Sequence, residues 1–268
     1  MSLTSPAVSP PVRPLRGTYL QLLLRGLLAG LLAGLVAGAV AFLLGEPQIE
    51  AAIALEEQAA VSHDHGADEG HAHSHGEDAL VSRTGQQVGL FLATGLAGMA
   101  LGALYASVLS AARHRSRLSG PVLALVAAGL GWAAVAAVPF GKYPANPPAV
   151  GAPETIDQRT LLWAAAVLLG LAAAAAAVAA ARALPSGTSL ASRLTAPLAV
   201  FLAVVCVGYL ALPGIDEVGE DFPATLLWEF RTASLATQAS LWLVLGVAFA
   251  WLTERFDRRS AAGTRGDR

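Results

Sequence analysis

Between positions 63 and 75 the chain reads HDHGADEGHAHSH, a stretch holding five of its six histidines. His63 and His65 form one pair, His71, His73 and His75 a triplet, and Asp64, Asp68 and Glu69 lie among them. In extended backbone, residues two apart point to the same side, so each group can present neighbouring imidazoles to one ion. Gly66, Gly70 and Gly76 would let the chain fold back and bring both groups together. Imidazole with carboxylate and no thiolate suits borderline divalent cations: zinc, copper, nickel, cobalt or ferrous iron. Affinity order alone does not choose among them. The expected metal ligands are therefore His63, His65, His71, His73, His75, Asp64 and Glu69. Two blander uses fit the same residues, a solvated low-complexity loop and a pH sensor.

Such a tether needs something to hang from. The chain has 268 residues, 55% hydrophobic and 13% charged, with a mean hydropathy of +0.57. That composition would leave too much apolar surface on a water-soluble fold, so lipid is the expected solvent for most of it. A spanning helix needs ~20 apolar residues to cross ~30 Å of hydrocarbon. Six stretches qualify, at about 20–44, 87–111, 121–139, 161–181, 194–213 and 233–252. Each must be helical, because hydrocarbon offers no partner to a free N–H or C=O. The expected fold is an all-α integral membrane bundle of about six helices. It divides into a tail over 1–19, a transmembrane domain over 20–252 that includes the His-rich loop 45–86, and a basic tail over 253–268. The first apolar run is longer than a signal-peptide core and is expected to stay in the protein.

Lys and Arg set the expected orientation. Arg13, Arg16, Arg113, Arg115, Arg117, Arg182, Arg193 and the C-terminal arginines fall on one side. Only Arg83, Lys142, Arg159 and Arg231 fall on the other. Both termini are thus expected in the cytoplasm and the His-rich loop outside. Arg25, inside the first apolar stretch, is expected to extend toward cytoplasmic headgroups as an anchor. Gly26, Gly30, Gly34 and Gly38, spaced by four, form a stripe for close helix packing, which Gly85, Gly89, Gly98 and Gly102 repeat more loosely.

The acidic-side loops hold the remaining candidates. GEPQIEAAIALEEQAA reads as a short helix opened by Pro47, with Glu46, Glu50 and Glu57 on one face. PFGKYPANPPAVGAPETIDQRT is too proline-rich for helix or central strand and reads as an extended cover. Thr155 and Gln158 then form an expected capping box. From Phe222 to Leu252 the chain is apolar for longer than one untilted crossing. Either Phe222–Phe230 is an interfacial or re-entrant segment, or the sixth helix is long and tilted. Glu229 and Arg231 interrupt this run, and charge near membrane depth is usually paired or functional.

EPQIEAAIALEE, the His-rich loop, KYPANPPAVGAPETIDQRT and FPATLLWEFRTASLATQASLW together resemble the CbtA family, membrane proteins assigned as cobalt transporter subunits in vitamin B12-linked systems. The resemblance runs from about 20 to 252. It implies Co²⁺ as the substrate (with Ni²⁺ or Zn²⁺ possible) and a small His-rich single-span partner resembling CbtB. The family is often described with five spans; six are counted in this chain. The motif positions are Glu46, Pro47, Lys142, Tyr143, Pro144, Asn146, Pro147, Pro148, Arg159, Phe222, Pro223, Glu229, Arg231 and Gln238, and no catalytic assignment comes with them.

The expected function is capture of a divalent metal on the outer loop and passage inward, with Glu46, Glu50, Glu229, Arg231 and Gln238 as candidates for the route. The alternative is a membrane metal-binding accessory or sensor protein without a path of its own. No enzyme activity is expected, since no HExxH or acid–base pair appears, and no phosphate loop either. No permanent cofactor and no nucleic-acid partner are expected.

Overall fold

The computed structural model describes residues 14–64, 83–151 and 155–266. It is helical throughout: α1 (Tyr19–Val40), α2 (Glu46–Asp64), α3 (Arg83–Ala112), α4 (Gly120–Trp132), α5 (Val138–Lys142), α6 (Ile156–Ala183), α7 (Leu190–Ala211) and α8 (Ala224–Gly266). Six helical runs are long and apolar enough to span a membrane: Tyr19–Gln58, Gly85–Arg115, Gly120–Lys142, Ile156–Ala183, Leu190–Ala211 and Ala224–Arg259. These contain the six stretches expected from hydropathy, apart from a residue or two at the end of the fifth.

Two spans contain a wider turn, and proline explains both. Ala41–Gly45 and Ala133–Ala137 are π-helical, and each ends two residues before a proline, Pro47 and Pro139. In the second, the Val138 N–H reaches back five residues to the Ala133 carbonyl. The next carbonyl, of Ala134, then faces a proline nitrogen with no hydrogen to donate. Gly170 of α6 packs against that carbonyl, where a Cβ would collide with it. The first π-turn makes α1 and α2 one continuous rod. Tyr19–Gln58 spans 40 residues, about 60 Å at helical rise. Pro47 therefore sits inside a continuing helix and does not open a separate one.

α1 begins at a capping box: Thr18 Oγ1 accepts from the Gln21 N–H at 3.3 Å, and the Gln21 side chain accepts from the Thr18 N–H at 2.9 Å. No such box opens α6, where Thr155 makes no side-chain capping bond. Thr155 has φ −96° and ψ −4° there, not the extended backbone usual at an N-cap.

Glycine decides which helices touch. A Cβ on Gly26, Gly30 or Gly34 would overlap the backbone carbonyl of Gly102, Gly98 or Thr94, and Gly98 and Gly102 meet the carbonyls of Gly30 and Gly26 in return. α1 and α3 thus run antiparallel at backbone contact along the predicted stripe. Gly89 meets nothing within 4 Å and takes no part. α8 closes this group against α1 and α4: Phe249, Leu22, Leu109 and Leu245 are fully buried, and Tyr105 meets Phe249 edge-on at 5.5 Å. α6 and α7 form a second, smaller group around Val138, Ala173 and Val205. The span from α4 to α5 belongs to both and joins them.

α8 is a single helix. Its Ala224–Arg259 portion spans 36 residues, about 54 Å, far more than hydrocarbon thickness. The long-helix reading holds, and Phe222–Phe230 is not a re-entrant segment. At one end of the bundle Arg113 donates to the Gly17 carbonyl at 2.7 Å, and Gly120 packs on Leu15 and Thr253. The arginine-rich segments therefore meet at one end, and the segments around 143–151 and 212–223 meet at the other.

Arg25 does not reach out to headgroups. It is 7% exposed, its Nη1 donates to the Arg16 carbonyl at 3.2 Å, and its guanidinium lies 4.1 Å above the Phe256 ring. The arginine is held between the start of α1 and the end of α8, which offers a planar cation a ring face and a nearby carboxylate, Asp257.

Candidate functional site

At the end of the bundle opposite the arginine-rich segments lies a cavity of about 800 Å³. Its floor is Val135 and Ala136, in the π-turn of the third span, with Phe140 beside them. Lys142 to Asn146 supply one wall, and Ile156, Arg159, Thr160 and Trp163 from the start of α6 another. Ile215 to Val218, ahead of α8, and Arg231, Ser234 and Gln238, on α8 itself, complete it. Four separate parts of the chain converge here, and hydrogen bonds between side chains and backbone hold them.

Each bond ties one of these parts to another or to α7. Lys142 Nζ donates to the Tyr209 carbonyl at 2.9 Å, and the Tyr209 hydroxyl donates to the Val138 carbonyl. The Tyr143 hydroxyl donates to the Pro213 carbonyl at 2.8 Å. Burial pushes that phenol's pKa up, which keeps the donor protonated. Arg231 donates through Nη2 to Asn146 Oδ1 at 2.9 Å and through Nε to the Ala145 carbonyl at 3.3 Å, tying α8 to the proline-rich cover.

One buried carboxylate of the cavity is a residue the sequence did not single out. Glu217 Oε2 pairs with Arg159 Nε at 3.1 Å; the Glu217 side chain is 7% exposed and that of Arg159 34%. The other carboxylate oxygen, Glu217 Oε1, is buried and has no hydrogen-bond partner among the described residues. A buried carboxylate oxygen left this way is costly unless something fills the position. Gly151 makes the pairing possible. Its φ of +112° is open only to glycine, and a Cβ there would run into the Arg159 guanidinium.

Of the route candidates, the structure brings Arg231 and Gln238 to this cavity. Glu229 is exposed on α8 outside it. At 100° per residue it lies about 200° round the helix from Arg231, so both cannot face one space. Glu46 and Glu50 sit at the start of α2, also outside the cavity lining. Among the expected metal ligands, His63 and Asp64 fall in the last turn of α2, and His65, Glu69, His71, His73 and His75 lie outside the described residues. Among the described residues, no three His, Cys, Asp or Glu side chains form a group that could hold a metal ion.

A family model described as "probable cobalt transporter subunit (CbtA)" matches residues 19–254. The chain belongs to the CbtA family. The match takes in the first five spans, the sixth up to residue 254, and every element of the cavity. It makes this chain a multi-pass membrane protein of a cobalt-transporter-subunit family, and the expected resemblance is met. No curated protein and no solved structure matches the chain. Sequence reasoning missed Glu217 and Asp216 because IDEVGED reads as a solvated acidic loop. Only the distant Arg159 and Gly151 reveal that one of its carboxylates is buried.

Proposed function

We propose that this CbtA-family protein binds cobalt on the side of the bundle that carries the acidic loops, through the His-rich segment 63–75, and delivers it to the cavity beneath the proline-rich cover. Both termini then face the cytoplasm, as the Lys/Arg distribution favours. The observation that carries the reading is Glu217 Oε1, a buried carboxylate oxygen without a partner in a cavity built wholly from this end of the bundle. Asp216, Asn146, Ser234 and Gln238 line the same cavity and add oxygens that the ligand shell of a metal ion can meet.

The protein acts as one subunit among others, and a small His-rich single-span protein resembling CbtB is the partner the family suggests.

Uptake of radiolabelled Co²⁺ into proteoliposomes, with and without that partner, tests the reading. Deleting residues 62–76 should raise the half-saturating cobalt concentration and leave transport at high concentration. Unchanged uptake would remove the segment from the capture step. Metal binding without uptake under any condition would favour an accessory protein with no path of its own.

A further inference from the structure

We propose that the cavity receives its metal as a small anionic chelate, an ion already wrapped in carboxylate ligands, and not as the bare aqua ion. This rests on the reading of the chain as a cobalt-transporter subunit and specifies the chemical form of the cargo.

The first reason is charge. Among the described residues the lining carries three cations, Lys142, Arg159 and Arg231, against two carboxylates, Asp216 and Glu217. Arg159 and Glu217 neutralise one another at 3.1 Å. That leaves Lys142 and Arg231 facing Asp216. Both are bonded to uncharged oxygens, of Tyr209, Ala145 and Asn146. An ammonium has three N–H donors and a guanidinium five, so each keeps donors for a ligand. A bare dication entering this space meets like charge on two walls, whereas a carboxylate chelate meets complementary charge with fork geometry available at Arg231.

The second reason is size. The cavity, at about 800 Å³, lies within the range of small-molecule sites, ~300–1,000 Å³. A hexa-aqua ion, at about 30 Å³ per water, would occupy only about 180 Å³. The third is Glu217 Oε1, which lacks a donor. A chelator hydroxyl is a strong donor and would satisfy that oxygen, while Arg159 already holds the other. Trp163 and Tyr143 give the site the aromatic walls common in small-molecule pockets.

Citrate is the probe. The purified full chain, reconstituted in vesicles, would be equilibrated with ⁵⁷Co²⁺ alone, with ¹⁴C-citrate alone, and with the equimolar complex. Saturable retention of both labels in equal amounts from the complex is expected. The K142Q/R231Q double variant should lose at least tenfold in affinity for the complex, a loss larger than any change in its binding of aqua Co²⁺. K142R and R231K, which keep the charges, should retain most of the affinity, and their retention guards against a folding defect in the double variant. Retention of ⁵⁷Co without ¹⁴C would overturn the proposal, as would equal loss in R231K and R231Q. Uptake of aqua Co²⁺ with no chelate binding would sink this inference and leave the transporter reading intact. Chelate binding with no uptake of cobalt in any form would do the reverse.

Discussion

Replacing Arg159 by Met should destabilise the protein several times more than replacing Glu217 by Gln, although the two residues share one ion pair. The asymmetry comes from burial. The Glu217 side chain is 7% exposed and one of its oxygens already has no partner, whereas the Arg159 side chain is 34% exposed. R159M leaves a carboxylate buried and wholly uncompensated, a situation that costs ~3–5 kcal/mol. E217Q leaves a guanidinium that water can reach, so its cost should stay near that of a partly exposed pair, ~1 kcal/mol or less. On the scale for chains of this size, ~2–4 °C per kcal/mol, R159M should lower the midpoint of thermal unfolding in detergent by about 6–20 °C and E217Q by under about 4 °C. The double variant removes both charges and should recover most of the R159M loss, since the coupling of contacting residues is not additive. Equal losses in the two single variants, or a double variant whose loss is their sum, would refute this account of the pair.

G30A should cost ~1–3 kcal/mol, because the new methyl must push α1 off the Gly98 carbonyl. G89A, in open space on α3, should be neutral or stabilise by up to about 1 kcal/mol; the same thermal assay compares them. R25M removes a cation from 4.1 Å above the Phe256 ring and a bond to the Arg16 carbonyl. It should cost about 3.5 kcal/mol, from ~2 for the desolvated cation–π contact and ~1.5 for the charged hydrogen bond, with R25K losing less. Cobalt binding by the whole chain should weaken from about pH 7.5 to about pH 5, since histidine ligands must be neutral to bind. Calorimetry showing equal uptake at both would exclude imidazole ligation.

The spans were legible because hydrocarbon imposes a length and leaves helix as the only backbone solution. Where they end was less legible. α1 runs on through Glu46 into α2, and α8 runs beyond its apolar window, because polar residues outside the hydrocarbon are as content in a helix as in a loop. The glycine stripe was legible from its spacing of four. Which partner it met was not, since Gly85 and Gly89 look as suitable on paper as Gly98 and Gly102. Only the register of α1 against α3 selects Gly98 and Gly102.

Charged residues divide along the same line. Arg231 and Gln238 lie seven apart, with Ser234 between them, a helical spacing that puts all three on one face of α8. The same spacing rule sets Glu229 on another face, so its exclusion from the cavity could have been read from numbers alone. Arg25 and Glu217 could not be placed that way. Arg25 finds its ring and its carboxylate at the far end of the chain, in Phe256 and Asp257. Glu217 is buried only because Arg159 and Gly151 come to it from the preceding loop and helix. A charge in a membrane protein takes its meaning from its partner, and the partner's distance in sequence sets whether that meaning can be read in advance. The cavity draws on four separate parts of the chain, so its charge balance among the described residues, two unneutralised cations against one exposed carboxylate, is a property of the fold and of no single motif.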